Sequence, residues 1–251
     1  MTKTKKISDF SRILFFAGIL TALFLLFLLL FSFRNTSPAD TFDPAEIPAE
    51  RVVIVDAGHG GADGGAVARD GTPEKIFTLD LSERLCVFLQ ILGRTPVMTR
   101  TADEDTDGNP TRFDKRGDIL ARKALADRYP GSPFVSVHVN LSRSPNDRGF
   151  QIFYGTVSPS SELYAASVQS AVAKTGLCTR IREVKKAPST VWLQHHVASP
   201  CVLAEYGFLS NDEDLARLKQ EEYRDALMFA TAIGITRAEE SPHPTPETPP
   251  V

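Results

Sequence analysis

Two histidines stand where short apolar runs end, and histidine is the side chain best suited to bind metals and to move protons near neutral pH. His59 lies in "VVIVDAGHGG", residues 52–61, where a β-branched run meets Asp56 and then a set of glycines. Glycines let the backbone turn sharply and let another group approach closely. Taken alone, His59 reads as a hydrogen-bonded turn residue. His138 lies in "PFVSVHVN", residues 133–140. Strand alternation puts Val135, Val137 and Val139 on one side and Ser136, His138 and Asn140 on the other, so the second side should face a cleft or water. A satisfied histidine on a sheet face is the plainer reading here too. The chain has only five histidines, and two of them at strand ends weaken the plain readings together.

Two carboxylates join them. Glu74 follows Pro73 in "DGTPEKIFTLDL", and a proline and an acid suit the first turn of a helix, which explains Glu74 structurally. Glu205 ends the apolar run "PCVLAE". A buried carboxylate is costly without a metal, a bound water or a cation beside it, and a salt bridge would serve. Two histidines and one carboxylate make a three-ligand set with an open fourth position. That is the arrangement of a catalytic zinc, whose water has a pKa of about 7. A second carboxylate off the metal suits a general base. The residues alone leave open which carboxylate does which. Their spacing is no local helix motif, so the fold must bring them together. His195 and His196, in "WLQHHVASP", read as solvated rim residues in a loop, and His243 falls in the C-terminal tail.

The elements around these residues alternate between short β-rich runs and longer amphipathic stretches. Strands are expected at 51–56, 95–99, 133–139, 149–154, 190–193 and 200–204, and helices at 74–92, 115–128, 160–175 and 221–235. In the first helix Ile76, Leu79, Leu81, Leu85, Phe88, Leu89 and Leu92 mostly fit one face, and Gly93 is its stop. The pattern predicts a single α/β domain over 51–237, a mixed, mostly parallel sheet of about six strands with helices on both faces. Sites in such folds gather where strand ends meet loops. Cys86 and Cys201 read as small core residues, and three cysteines with Cys178 make no disulfide framework.

Outside the domain, residues 1–12 are a basic N-terminus. Residues 13–33 carry no charge and are long enough for a helix across a bilayer core of about 30 Å. The basic flank predicts a single-pass anchor in the cytoplasmic membrane with the domain outside it. A cleaved signal peptide, with secretion, is the alternative. Residues 34–50 read as a linker and the Pro-rich 238–251 as a disordered tail. A net charge of -3 gives no footprint for nucleic acid.

The motifs "IVDAGHGGADGGA", "EK", "FVSVHVN" and "VLAEYGFLSN" resemble, in order and approximate spacing, the zinc-dependent N-acetylmuramoyl-L-alanine amidases of the third amidase family. The resemblance covers nearly all of 52–235. The stretch "DGTPEKIFTL", the "MTR" at 98–100 and the Arg-rich run at 112–122 look closest to the germination-specific, sporulation-associated branch. The resemblance implies that His59, Glu74 and His138 bind zinc and that Glu205 is the catalytic carboxylate. It implies a hydrolase that cuts the amide between N-acetylmuramic acid and L-alanine in peptidoglycan. Ala57 stands where the family usually has Pro, and Asp127 or Arg128 falls near a usual Asn. Neither departure touches the four residues. The long helical insert of autoinhibited members is missing between His138 and Glu205. A zinc peptidase acting on the stem peptide and a non-catalytic wall-binding protein are the competing readings, separated by muropeptide products and by a zinc assay. The sequence identifies no activating protein partner.

Overall fold

The run Val52–Ala57 forms β1, the second strand of a six-stranded sheet in which every residue of the strand is buried. The computed structural model describes residues 51–108 and 114–241. After β1 come α1 (Glu74–Ile91), β2 (Thr95–Met98), α2 (Lys115–Asp127), β3 (Phe134–Asn140), β4 (Gln151–Tyr154) and α3 (Ser161–Lys174). Then follow β5 (Lys185–Lys186), a 3-10 turn (Leu193–His195), β6 (Cys201–Phe208), α4 (Asp212–Leu218) and α5 (Glu221–Glu240). The strand order is β2-β1-β3-β6-β4-β5. The first four run parallel, and β4 lies antiparallel to β6.

Alternate residues of the same strands feed two apolar layers, as a sheet covered on both faces requires. Val53, Val55, Val135 and Val137 pack with Leu81 and Leu85 of α1, Val168 of α3 and Leu227 of α5. Val52, Ile54 and Phe134 pack on the other face with Leu125 and Ala126 of α2. The α/β expectation with helices on both faces therefore holds for the described residues.

Several expectations are corrected. Residues 190–193 are no strand. Val191 N donates to Pro188 O and His195 N to Trp192 O, so local turn bonds replace a ladder. The edge position beside β4 goes instead to Lys185–Lys186, a charged pair with no apolar pattern to reveal it. The short helix α4 was not expected; Asn211 caps it by accepting from Asp214 N at 3.0 Å. Helix α5 runs into the expected tail as far as Glu240, because Ala238 is buried and Glu239 pairs with Arg94. In α1, Ile76 is 54% exposed. The buried stripe there is Glu74, Phe77, Thr78, Leu81, Leu85 and Leu89. All three cysteines are free. The readings for 1–12, 13–33, 34–50 and 242–251 lie outside the described residues. Among the described residues no helix is long and apolar enough to cross a membrane.

Candidate active site

The chain leaves β1 for β2 on one side and later returns to β3 on the other. Where strand order reverses in this way, the C-terminal strand ends part and leave a crevice. His59 lies just past the end of β1. His138 sits near the end of β3, and Glu205 of β6 is its register partner. Helix α1 supplies the fourth group. Glu74 is its first residue and shares the stripe of Leu81 and Leu85, so burying that stripe carries the carboxylate into the crevice.

The Glu74 carboxylate stands between the two imidazoles. Its Oε1 lies 2.9 Å from His138 Nδ1 and its Oε2 lies 3.1 Å from His59 Nε2. Backbone N–H groups of Val139 and Ala66 donate to the same two oxygens, which fixes the carboxylate's plane. Two glycines make this closeness feasible. A Cβ on Gly58 would meet the His138 ring at 2.4 Å, and one on Gly65 would meet the His59 ring at 2.6 Å. The glycine-rich context of His59 thus makes room for the other members of the site.

The backbone of His59 is itself unusual. Its φ is +61°, and among the described residues it alone has positive φ without being glycine. Such a conformation costs of order 1–3 kcal/mol and persists only where the surroundings enforce it. Two buried arginines do so. Arg122 donates to Ala57 O and to His59 O at 2.8 and 2.7 Å, and Arg100 donates to Ala57 O and Gly58 O at 3.1 and 3.0 Å. Arg122 is held in turn by Asp56 at 2.6 Å and Asp118 at 2.8 Å. Asp56 also accepts from Ser136 and Thr99. Sequence reasoning did not single out Asp56, Arg100 or Arg122 as a unit. Asp56 read as an acid at the end of a buried strand, and Arg100 and Arg122 entered only as parts of stretches that resemble the family branch.

The electrostatics of the cluster call for positive charge. Burial pushes the His59 imidazole down, but Asp63, with Oδ2 3.0 Å from Nδ1, and Glu74 overcome this and hold it up at about 9. Burial acts the same way on His138, and Glu74 followed by Glu205 again reverses it, so this imidazole is also raised. Burial would raise Glu74, yet the two histidines hold it far below the usual carboxylate range. A cation between these groups meets the same demand. One donor atom from each of His59, Glu74 and His138 lies within 4.8 Å of the others, and two imidazoles with one carboxylate are the donor chemistry of a transition-metal site. The residues therefore fit a metal ion.

Glu205 is not part of that donor set. It is partly exposed as a residue, but its Oε2 is shut from solvent and has no protein hydrogen-bond partner. Burial raises its carboxyl to about 7, with His138 pulling down and Glu74 pushing up. A carboxyl with that affinity can both take and give a proton near neutrality. The crevice opens into a cleft of about 290 Å³ lined by His59, His138, Lys115, Trp192 and Gln194, among others. His195 ends the 3-10 turn, His196 follows it, and neither belongs to the donor cluster. Trp192 stacks on His196 at 3.8 Å.

The model of the family described as N-acetylmuramoyl-L-alanine amidase matches residues 53–237. The germination-specific N-acetylmuramoyl-L-alanine amidase of Bacillus subtilis is 32% identical over 219 residues, 85% of this chain and 89% of that protein. The CwlD amidase of Clostridioides difficile, solved with the GerS lipoprotein, superposes with a TM-score of 0.68. It is 29% identical, over 75% of this chain and 98% of that one. The catalytic domain of the amidase CwlV from Bacillus (Paenibacillus) polymyxa gives 0.64 at 28% identity, over 74% and 97%.

Proposed function

The chain belongs to the N-acetylmuramoyl-L-alanine amidase family, and on that basis we propose that His59, Glu74 and His138 hold a zinc ion while Glu205 moves the proton. The protein is a peptidoglycan hydrolase that cleaves the amide between N-acetylmuramic acid and L-alanine. The observation that carries the assignment of roles is the meeting of three donor atoms within 4.8 Å, with Glu205 outside them on the next strand.

Zinc bound there supplies an acidified water and an electrophile for the carbonyl. The chain's own residues do the rest. Glu74 is locked by two backbone N–H groups, so it is a rigid ligand rather than a mobile base. Arg100 and Arg122 hold the His59 backbone in place. Glu205, whose carboxyl burial raises to about 7, takes a proton from the attacking water and delivers it to the departing L-alanine nitrogen. The C–N bond breaks and the acyl carbon keeps the water's oxygen.

The test is digestion of peptidoglycan by the zinc-loaded protein, read by mass spectrometry. Stem peptides with a free L-alanine amino group are expected. His138→Ala should lose bound zinc and this release together, because three protein ligands are the usual number for such a site. Full zinc occupancy in that variant would remove His138 from the ligand set.

We also propose that residues 13–33 anchor the domain outside the cytoplasmic membrane, which places it against its substrate. The support is the uncharged run and its basic flank. The mature protein should sediment with membranes, and protease added to spheroplasts should digest the domain. A soluble form beginning after about residue 35 would show cleavage instead.

A further inference from the structure

We propose that Gln194 recognises a secondary amide of the muramoyl-peptide substrate and holds it in the cleft through its carboxamide. This rests on the reading above that the substrate lies in the cleft beside His59 and His138.

Gln194 lines that cleft and is 1% exposed, yet neither its Oε1 nor its Nε2 has a protein hydrogen-bond partner. Buried polar groups are nearly always paired, so an unpaired carboxamide in the wall of a binding cleft calls for a functional reason. Among the described residues its carboxamide makes no hydrogen bond to the protein. Its backbone is committed elsewhere: Gln194 O accepts from Thr156 N at 2.9 Å. The turn that carries it is fixed. His195 faces Thr156 Oγ1 at 3.0 Å with one ring nitrogen and Pro188 O at 3.1 Å with the other. The backbone that carries the carboxamide is therefore held, which lowers the ordering cost of using it.

The chemistry of the group narrows its ligand. A carboxamide offers an acceptor and donors side by side. A secondary amide offers one donor and one acceptor, and the two can close a ring of two hydrogen bonds. A hydroxyl, an alkyl group or an anion satisfies the pair less well. The substrate carries such amides at the scissile bond, at the next peptide link of the stem and in the acetamido group of the sugar.

The experiment uses the full zinc-loaded chain with Gln194→Met and Gln194→Leu, two apolar variants of similar size. Steady-state kinetics are read on three soluble muramoyl-peptide fragments: intact, N-deacetylated, and cut back to a single L-alanine. Melting temperature and bound zinc are read alongside. On the intact fragment kcat/KM should fall about 10- to 100-fold, most of it in KM, since a buried partner is left unpaired. Melting temperature should hold or rise, and zinc content should not change. A purely structural role would lower the melting temperature with KM unmoved. A deficit that vanishes on the N-deacetylated fragment assigns the acetamido group. One that vanishes on the single-alanine fragment assigns the next peptide link, and one that persists on both assigns the scissile amide. Values within about 2-fold of wild type on all three overturn the proposal. If His138→Ala cleaved all three at the wild-type rate, the cleft would not be the reaction site, and the proposal would fall with that reading.

Discussion

Glu205→Gln is expected to lose about 100-fold or more in turnover while binding wall fragments and zinc as the wild type does; this is the usual size of a general acid–base contribution. The variant keeps the length and shape of the side chain but cannot accept a proton. The loss follows from where the carboxyl sits. Burial raises it to about 7, so near neutrality it has both a proton to give and room to take one. Its Oε2 has no protein partner to compete for that proton. Purified protein, a soluble muramoyl peptide and single-turnover kinetics measure the effect. A turnover within about 3-fold of wild type would take Glu205 out of the chemistry.

Arg122→Met should destabilise the domain by about 3–5 kcal/mol, the cost of removing one partner from a buried ion pair. Asp56 and Arg122 are 1% and 3% exposed, and they meet at 2.6 Å. Without the guanidinium, the Asp56 carboxylate keeps only two hydroxyl partners, and the carbonyls of Ala57 and His59 lose donors. The urea midpoint should fall with the slope unchanged. The pH dependence has a definite sign. Burial would raise Asp56, but Arg122 and Ser136 outweigh it and hold the carboxyl below its ordinary value. A depressed carboxyl contributes stability above its unfolded value that is lost as pH falls through its folded value. In the variant the carboxylate is buried with less compensation, and protonation relieves it. The gap between wild type and variant should therefore narrow as pH falls from neutral towards the depressed value of the wild-type carboxyl. A gap under about 1 kcal/mol at neutral pH would mean that the pair matters little to the fold.

The strands that carry the site were legible because each holds a short apolar run that meets a polar residue. The alternation in "FVSVHVN" placed His138 on the cleft side. Glu74 was legible as a helix start, though the buried stripe of α1 was read one residue out of phase at Ile76. That stripe also contains Thr78 and Ser82, which an apolar count passes over. Residues 190–193 misled because Thr190, Val191 and Trp192 are strand formers by type, while local turn hydrogen bonds hold the segment instead. Three functional details could not be read from the sequence. The positive φ of His59, the arginine clamp on its carbonyls and the unpaired Gln194 carboxamide all depend on contacts between residues remote in the chain. No spacing rule encodes such contacts.

The measurement that tests the central account most directly is a zinc titration of amidase activity for Glu74→Gln and Glu205→Gln side by side. If Glu74 is a ligand, its variant should bind zinc more weakly, and excess zinc should recover part of its rate. If Glu205 moves the proton, its variant should saturate at the wild-type zinc concentration and remain slow at every concentration beyond it. Rescue of Glu205→Gln by added zinc, with none for Glu74→Gln, would contradict the account and exchange the two roles.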